Sequence, residues 1–65
     1  MISADEKIIN VVQNSPETVE VFEKNNIKVY GWGSMANSRI GDAAQKKGVD
    51  IEYLLNELKE FEKTN

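Results

Sequence analysis

The sequence contains no cysteine and no histidine. The first absence excludes thiol–disulfide exchange and disulfide staples. The two together remove the usual nitrogen and sulfur ligands of a zinc site. Histidine is also the most frequent general acid–base group, so any catalytic reading would rest on carboxylates held in a cleft. No apolar run approaches the roughly 18 residues needed to span a bilayer. A basic patch is missing as well: eleven acids stand against seven lysines and Arg39, for a net charge of −3. Only Lys46 and Lys47 are adjacent, and they read as a solvated helix end rather than a nucleic-acid contact. The start, Met1-Ile2-Ser3-Ala4-Asp5-Glu6, lacks the basic opening and apolar core of a signal peptide. Expected, therefore, is a cytoplasmic protein that binds neither nucleic acid nor membrane.

What is present points to helices. At 65 residues the chain is expected to be a single small helical domain over 1–65. It would bury only about 60% of its unfolded surface, so stability depends on helix packing or on oligomerisation. No repeat, low-complexity stretch or linker is discerned. Ser3-Ala4-Asp5-Glu6 has the form of a capping box, with Asp5 as a rival cap. Ile8, Val11 and Val12 then line one helical face, and the run stops near Asn14. Ser15-Pro16-Glu17 reads as a second helix start, Ser15 offering a cap oxygen and Pro16 suiting the first helical position. Val19 and Phe22 form its stripe, and Asn25-Asn26 its stop.

The pattern breaks from Ile27 to Asn37, where Ile27-Lys28-Val29-Tyr30 suggests a short extended stretch. Ser38 is the expected cap of a third helix carrying Ile40, Ala43 and Ala44. Gly41 inside that helix costs about 1 kcal/mol relative to Ala, which makes it the weakest element. Gly48 closes it, and Asp50 caps a fourth helix. In the fourth, Ile51, Leu54, Leu55, Leu58 and Phe61 recur at helical spacing, the strongest periodic signal in the chain. Leu55→Ala and Leu58→Ala are both expected to be severely damaging. The fold class expected is all-α, a compact array of about four short helices.

Chemistry is sparse. Glu17/Glu20, Glu20/Glu23 and Glu57/Glu60 have spacings that metal-binding carboxylates can show, but solvated faces show them equally. Ser34 has no partner that the sequence identifies as an activating base. Gly31-Trp32-Gly33-Ser34 lacks the layout of a phosphate-cradling loop. The expectation is a non-enzymatic protein with no metal and no cofactor.

One segment stands out. Tyr30-Gly31-Trp32-Gly33-Ser34-Met35 holds the only Trp, one of two Tyr and one of two Met residues. The plainer expectation is that this loop folds back to cover one end of the core. Its rival is an exposed Trp32 acting as a binding anchor, since Trp and Tyr dominate interface hot spots. Val29, Tyr30, Gly31, Trp32 and Met35 are the candidate interaction loop. As an alternative, Tyr30, Trp32 and Met35 would line a shallow small-ligand or cofactor pocket. Ile9 and Val21 lie off the apolar stripes and together allow a homodimer.

The order and spacing of several short segments also carry a resemblance. Met1-Ile2-Ser3, Ile8, Val11-Val12, Ser15-Pro16-Glu17-Thr18, Val21-Phe22 and Ile27 belong to it. So do Gly31, Ala36-Asn37, Ala43-Ala44, Gly48-Val49-Asp50, Leu54-Leu55 and Glu57-Leu58. From residue 1 to about 61 the chain resembles the hybrid-cluster-protein-associated redox-disulfide domain, a family of small domains of unknown function. The resemblance implies a compact all-helical fold and a Cys-x-x-Cys pair in the loop between the second and third helices. Those two positions match Val29 and Trp32, so the thiol redox role does not carry over to this chain. Gly31 matches the family and is expected to allow a tight turn. The functional expectation is a module for protein contact or self-association around residues 29–35, with its thiol motif lost.

Overall fold

A computed structural model describes residues 2–62. Met1, the first residue of the resemblance, and residues 63–65 of the expected domain lie outside the described residues. Four helices run α1 Ile8–Asn14, α2 Thr18–Lys24, α3 Ile40–Lys47 and α4 Ile51–Glu62, with no strand among the described residues. The all-α expectation therefore holds. The radius of gyration is 10.4 Å, against about 11 Å for a compact chain of this length. All four helices can thus share one core. It contains Ile8, Val11 and Val12 of α1, Val21 and Phe22 of α2, Ile40, Ala43 and Ala44 of α3, and Leu54 and Leu58 of α4.

The helix stops are set by local chemistry. At the end of α2, Asn26 takes a left-handed φ of 68°. Its N–H bonds Glu23 O and the Ile27 N–H bonds Phe22 O at 2.9 Å. This is the Schellman pattern, and the two residues it brings together, Phe22 and Ile27, are both fully buried in the core. The end of α3 repeats it with Gly48 at φ 71°, Val49 N–H reaching Ala44 O at 2.8 Å. At the start of α4, Asp50 Oδ1 accepts from the Glu52 N–H at 3.0 Å, as an N-cap should.

The other three helix starts differ from expectation. α1 begins at Ile8, with Lys7 in the capping position and no side-chain cap. Ser3 instead forms a turn, its carbonyl accepting from the Glu6 N–H. α3 begins at Ile40 with Arg39 in the capping position, so Ser38 does not cap by its side chain either. The physical reason is that distant backbone supplies the acceptors. Ile8 N–H donates to Ser38 O (3.0 Å) and Ile9 N–H to Ala36 O (2.8 Å). In return, Ile40 N–H donates to Glu6 O (2.9 Å) and Gly41 N–H to Ala4 O (2.9 Å). Each helix start is satisfied by the turn that precedes the other helix, across an antiparallel bridge between Lys7 and Arg39. In α2, Ser15 contributes its carbonyl, which accepts from both the Thr18 N–H (2.9 Å) and the Thr18 hydroxyl (2.7 Å). Pro16 and Glu17 form a tighter turn ahead of the helix, with i→i+3 bonds to Val19 and Glu20.

Three packing expectations also change. Val21, expected off the stripe, is buried, because α2 packs against α1 on one side and α4 on the other. Leu55 is only partly buried, whereas Leu54 and Leu58 are fully buried. The apolar stripe of α4 is wider than its contact, so Leu54 and Leu58 form its centre line while Ile51, Leu55 and Phe61 flank it. Gly41 is more than a weak helix former. A Cβ there would stand 3.2 Å from the Ala4 Cβ and 3.4 Å from the Ala4 carbonyl oxygen. The missing side chain lets the N-terminal turn approach α3 closely enough to bond it.

Candidate functional site

Beyond the Schellman stop of α2 successive side chains alternate between core and solvent, the period of an extended chain. Ile27 and Val29 turn inward and are buried; Lys28 and Tyr30 turn outward and are exposed. Val29, at 2% exposure, is therefore a core residue and not part of an interaction surface. The alternation Ile27-Lys28-Val29-Tyr30 carries this signal in the sequence, although a four-residue run is short for it. Glu23 fixes the same point from outside, its Oε2 accepting from the Val29 N–H at 3.2 Å.

The loop is closed at its base and at its tip. At the base, the Met35 N–H donates to Lys28 O at 2.8 Å. The Ser34 hydroxyl donates to Val29 O and accepts from the Ala36 N–H. Ser34, without an identifiable partner in the sequence, is thus a structural clamp. At the tip, the Ser34 N–H donates to Gly31 O at 3.2 Å, closing a turn over Gly31-Trp32-Gly33-Ser34. Gly33, third in that turn, has φ 78°. A positive φ at this position is the mark of a type II turn, which favours glycine. Gly31 also has positive φ, at 82°.

Trp32 occupies the second position of the turn and is 94% exposed. The loop does fold onto the core, as the plainer expectation has it, but not with its Trp. The turn directs the indole outward, and the inward positions are filled by Val29 and the half-buried Met35. Tyr30 is 60% exposed. The tip is a projection carrying two aromatic rings on a hydrogen-bonded base. The described cavity, of about 400 Å³, is lined by Ala4, Gly41, Asp42, Ala44, Gln45, Val49 and Ile51. None of its lining residues belongs to the loop.

No protein-family model, curated protein or solved structure matches this chain.

A polar cluster that sequence reasoning missed joins α2 to α4. Glu57 receives Lys24 Nζ at 2.7 Å, the Asn25 side-chain amide at 3.1 Å and the Tyr53 hydroxyl at 3.4 Å. The hydrogen-bonded Lys24 ammonium holds the Glu57 carboxyl below its ordinary range, and Glu57 raises Lys24 in return. The Asn25 amide also donates to Val21 O at 2.8 Å, so the cluster ties a helix end to its neighbour. Its partners come from two helices, which is why the Glu57/Glu60 spacing gave no hint of it. Among the described residues no group of three or more acidic side chains is placed to hold a metal ion. No helix among them is long and apolar enough to cross a membrane.

Proposed function

We propose that this chain is a non-enzymatic cytoplasmic interaction module, acting on a protein partner through the aromatic tip Tyr30-Gly31-Trp32. In this reading it is a cysteine-free relative of the redox-disulfide family. The position of one family thiol has become the anchor Trp32, and that of the other has joined the core as Val29. The observation that carries the reading is the 94% exposure of Trp32. Burying a Trp removes about 150–250 Å² from water, worth about 4–6 kcal/mol at 25 cal/mol per Å². A domain this small forgoes that stabilisation while holding the ring on a clamped turn. Pre-organisation of this kind lowers the ordering cost of binding, which suits an anchor.

A second copy is the weaker choice of partner, because Val21 is buried and no longer adds to an apolar surface. The small-ligand alternative draws no support from the loop, whose tip projects, whereas ligand sites are concave with convergent polar groups. The test compares wild type and Trp32→Ala as baits in quantitative affinity capture, with sedimentation of both. Loss of specific partners on substitution supports the reading. An identical partner profile, with the mass in solution also unchanged, removes it.

A further inference from the structure

We infer that the domain is an internal duplication, two copies of one turn–helix–helix unit facing each other across a local two-fold axis between Lys7 and Arg39. The units are residues 4–24 and 36–56. Without any gap, Ala4, Asp5, Lys7, Ile8, Asn10 and Gln13 align with Ala36, Asn37, Arg39, Ile40, Asp42 and Gln45. Further along the same register, Glu20 meets Glu52 and Phe22 meets Leu54. A repeat this degenerate does not stand out in the sequence, where none is discerned.

The hydrogen bonds of the turns and first helices repeat in the same register, while the junctions to the second helices differ, Gly48 closing a Schellman stop where its counterpart is Pro16. Glu6 N–H to Ser3 O corresponds to Ser38 N–H to Met35 O, and Val11 N–H to Lys7 O to Ala43 N–H to Arg39 O. The bonds that cross between the units correspond to one another. Ile8 to Ser38 becomes Ile40 to Glu6, and Ile9 to Ala36 becomes Gly41 to Ala4. Such reciprocity, in which i contacts j and the equivalent of j contacts the equivalent of i, is the mark of an isologous dimer interface. Burial follows over the turns and first helices: Ile8, Val11 and Val12 are buried, as are Ile40, Ala43 and Ala44, while Gln13 and Gln45 are both exposed. In the second helices Phe22 and Leu54 are both buried, whereas buried Thr18 and Val21 correspond to exposed Asp50 and Tyr53. A shared turn motif could account for one half of this pattern. It does not account for the crossing bonds, which require the two turns to be related by symmetry.

The inference has a structural consequence. The pairing that a small helical hairpin needs in order to build a core is supplied within one chain. The 25–35 connection closes that pair and adds Ile27 and Val29 to its core, which leaves its tip free to project. The units, rather than individual helices, are then the parts that must stay continuous.

Circular permutation tests this on the whole chain. In one variant the present ends are joined by a Gly-Ser linker at least as long as the native connection, and new ends are opened between Trp32 and Gly33. A second variant carries the same linker but is opened inside a unit, between Ser15 and Pro16. The first is expected to be a cooperative helical monomer with a folding constant at least tenfold larger than that of the second. An unfolded first variant, or equal folding constants in the two, overturns the inference.

Discussion

Val29 and Trp32 are three residues apart in one loop, and the structure gives them opposite jobs. Truncating each to alanine separates those jobs. Val29→Ala removes two buried carbons at about 0.8 kcal/mol each, and the residual cavity raises the cost to about 2 kcal/mol. For a domain of this size that lowers Tm by about 8–16 °C. Trp32→Ala removes a far larger side chain, but one that is 94% exposed. Its cost should stay within about 0.5 kcal/mol, or about 2–4 °C. Far-UV circular dichroism melts and urea titrations of the three proteins measure both values without relying on the indole. Acrylamide quenching of the wild-type Trp adds an independent reading, with the folded protein quenched nearly as efficiently as the unfolded one. Should Trp32→Ala cost as much as Val29→Ala, the ring packs on the core and the projecting tip is refuted.

The same logic separates two leucines on α4. Leu58→Ala, at a fully buried site, should cost about 2–5 kcal/mol. That is much of the roughly 3–10 kcal/mol available to a chain of this length. Leu55→Ala, at a half-buried flank, should cost at least about 1 kcal/mol less; equal urea midpoints for the two variants would contradict the placement of the stripe. Because its folded-state carboxyl is lowered, Glu57 contributes stability fully above the unfolded value of about 4.3 and loses it as pH falls through the folded value. Lys24, which is raised, contributes below about 10.4 and loses that contribution as pH rises through its folded value. The gap in urea midpoint between wild type and Glu57→Gln should therefore be steady from neutral pH to about pH 5 and close on further acidification. A gap that persists in acid would show that the carboxylate charge is not what joins α2 to α4.

What was legible in the sequence follows the range of the interactions. The stops at Asn26 and Gly48 and the cap at Asp50 use partners within six residues, and all three were readable from residue type alone. Ser3 and Ser38 were misread for the opposite reason. The acceptors that satisfy α1 and α3 are carbonyls brought in from the far half of the chain, and no local pattern announces them. Gly41 shows the same effect. Taken alone it is a poor helix residue, yet its meaning lies in the 3.2 Å that a Cβ would leave to Ala4.

The candidate loop divides along the same line. Its turn chemistry was legible in Gly31 and Gly33, and the inward role of Val29 was present in a short alternation. The direction of Trp32 was not, because a glycine-flanked turn can fold a ring onto the core or away from it. That choice is made by the tertiary surroundings. Val29 and Met35 already supply the loop's inward side chains, and the Ser34 and Lys28 bonds fix the base beneath the turn. With the core closed by those residues, nothing in the fold requires the indole. Its outward position is then a property of the loop that stability does not explain, and it is at Trp32 that a test of function should begin.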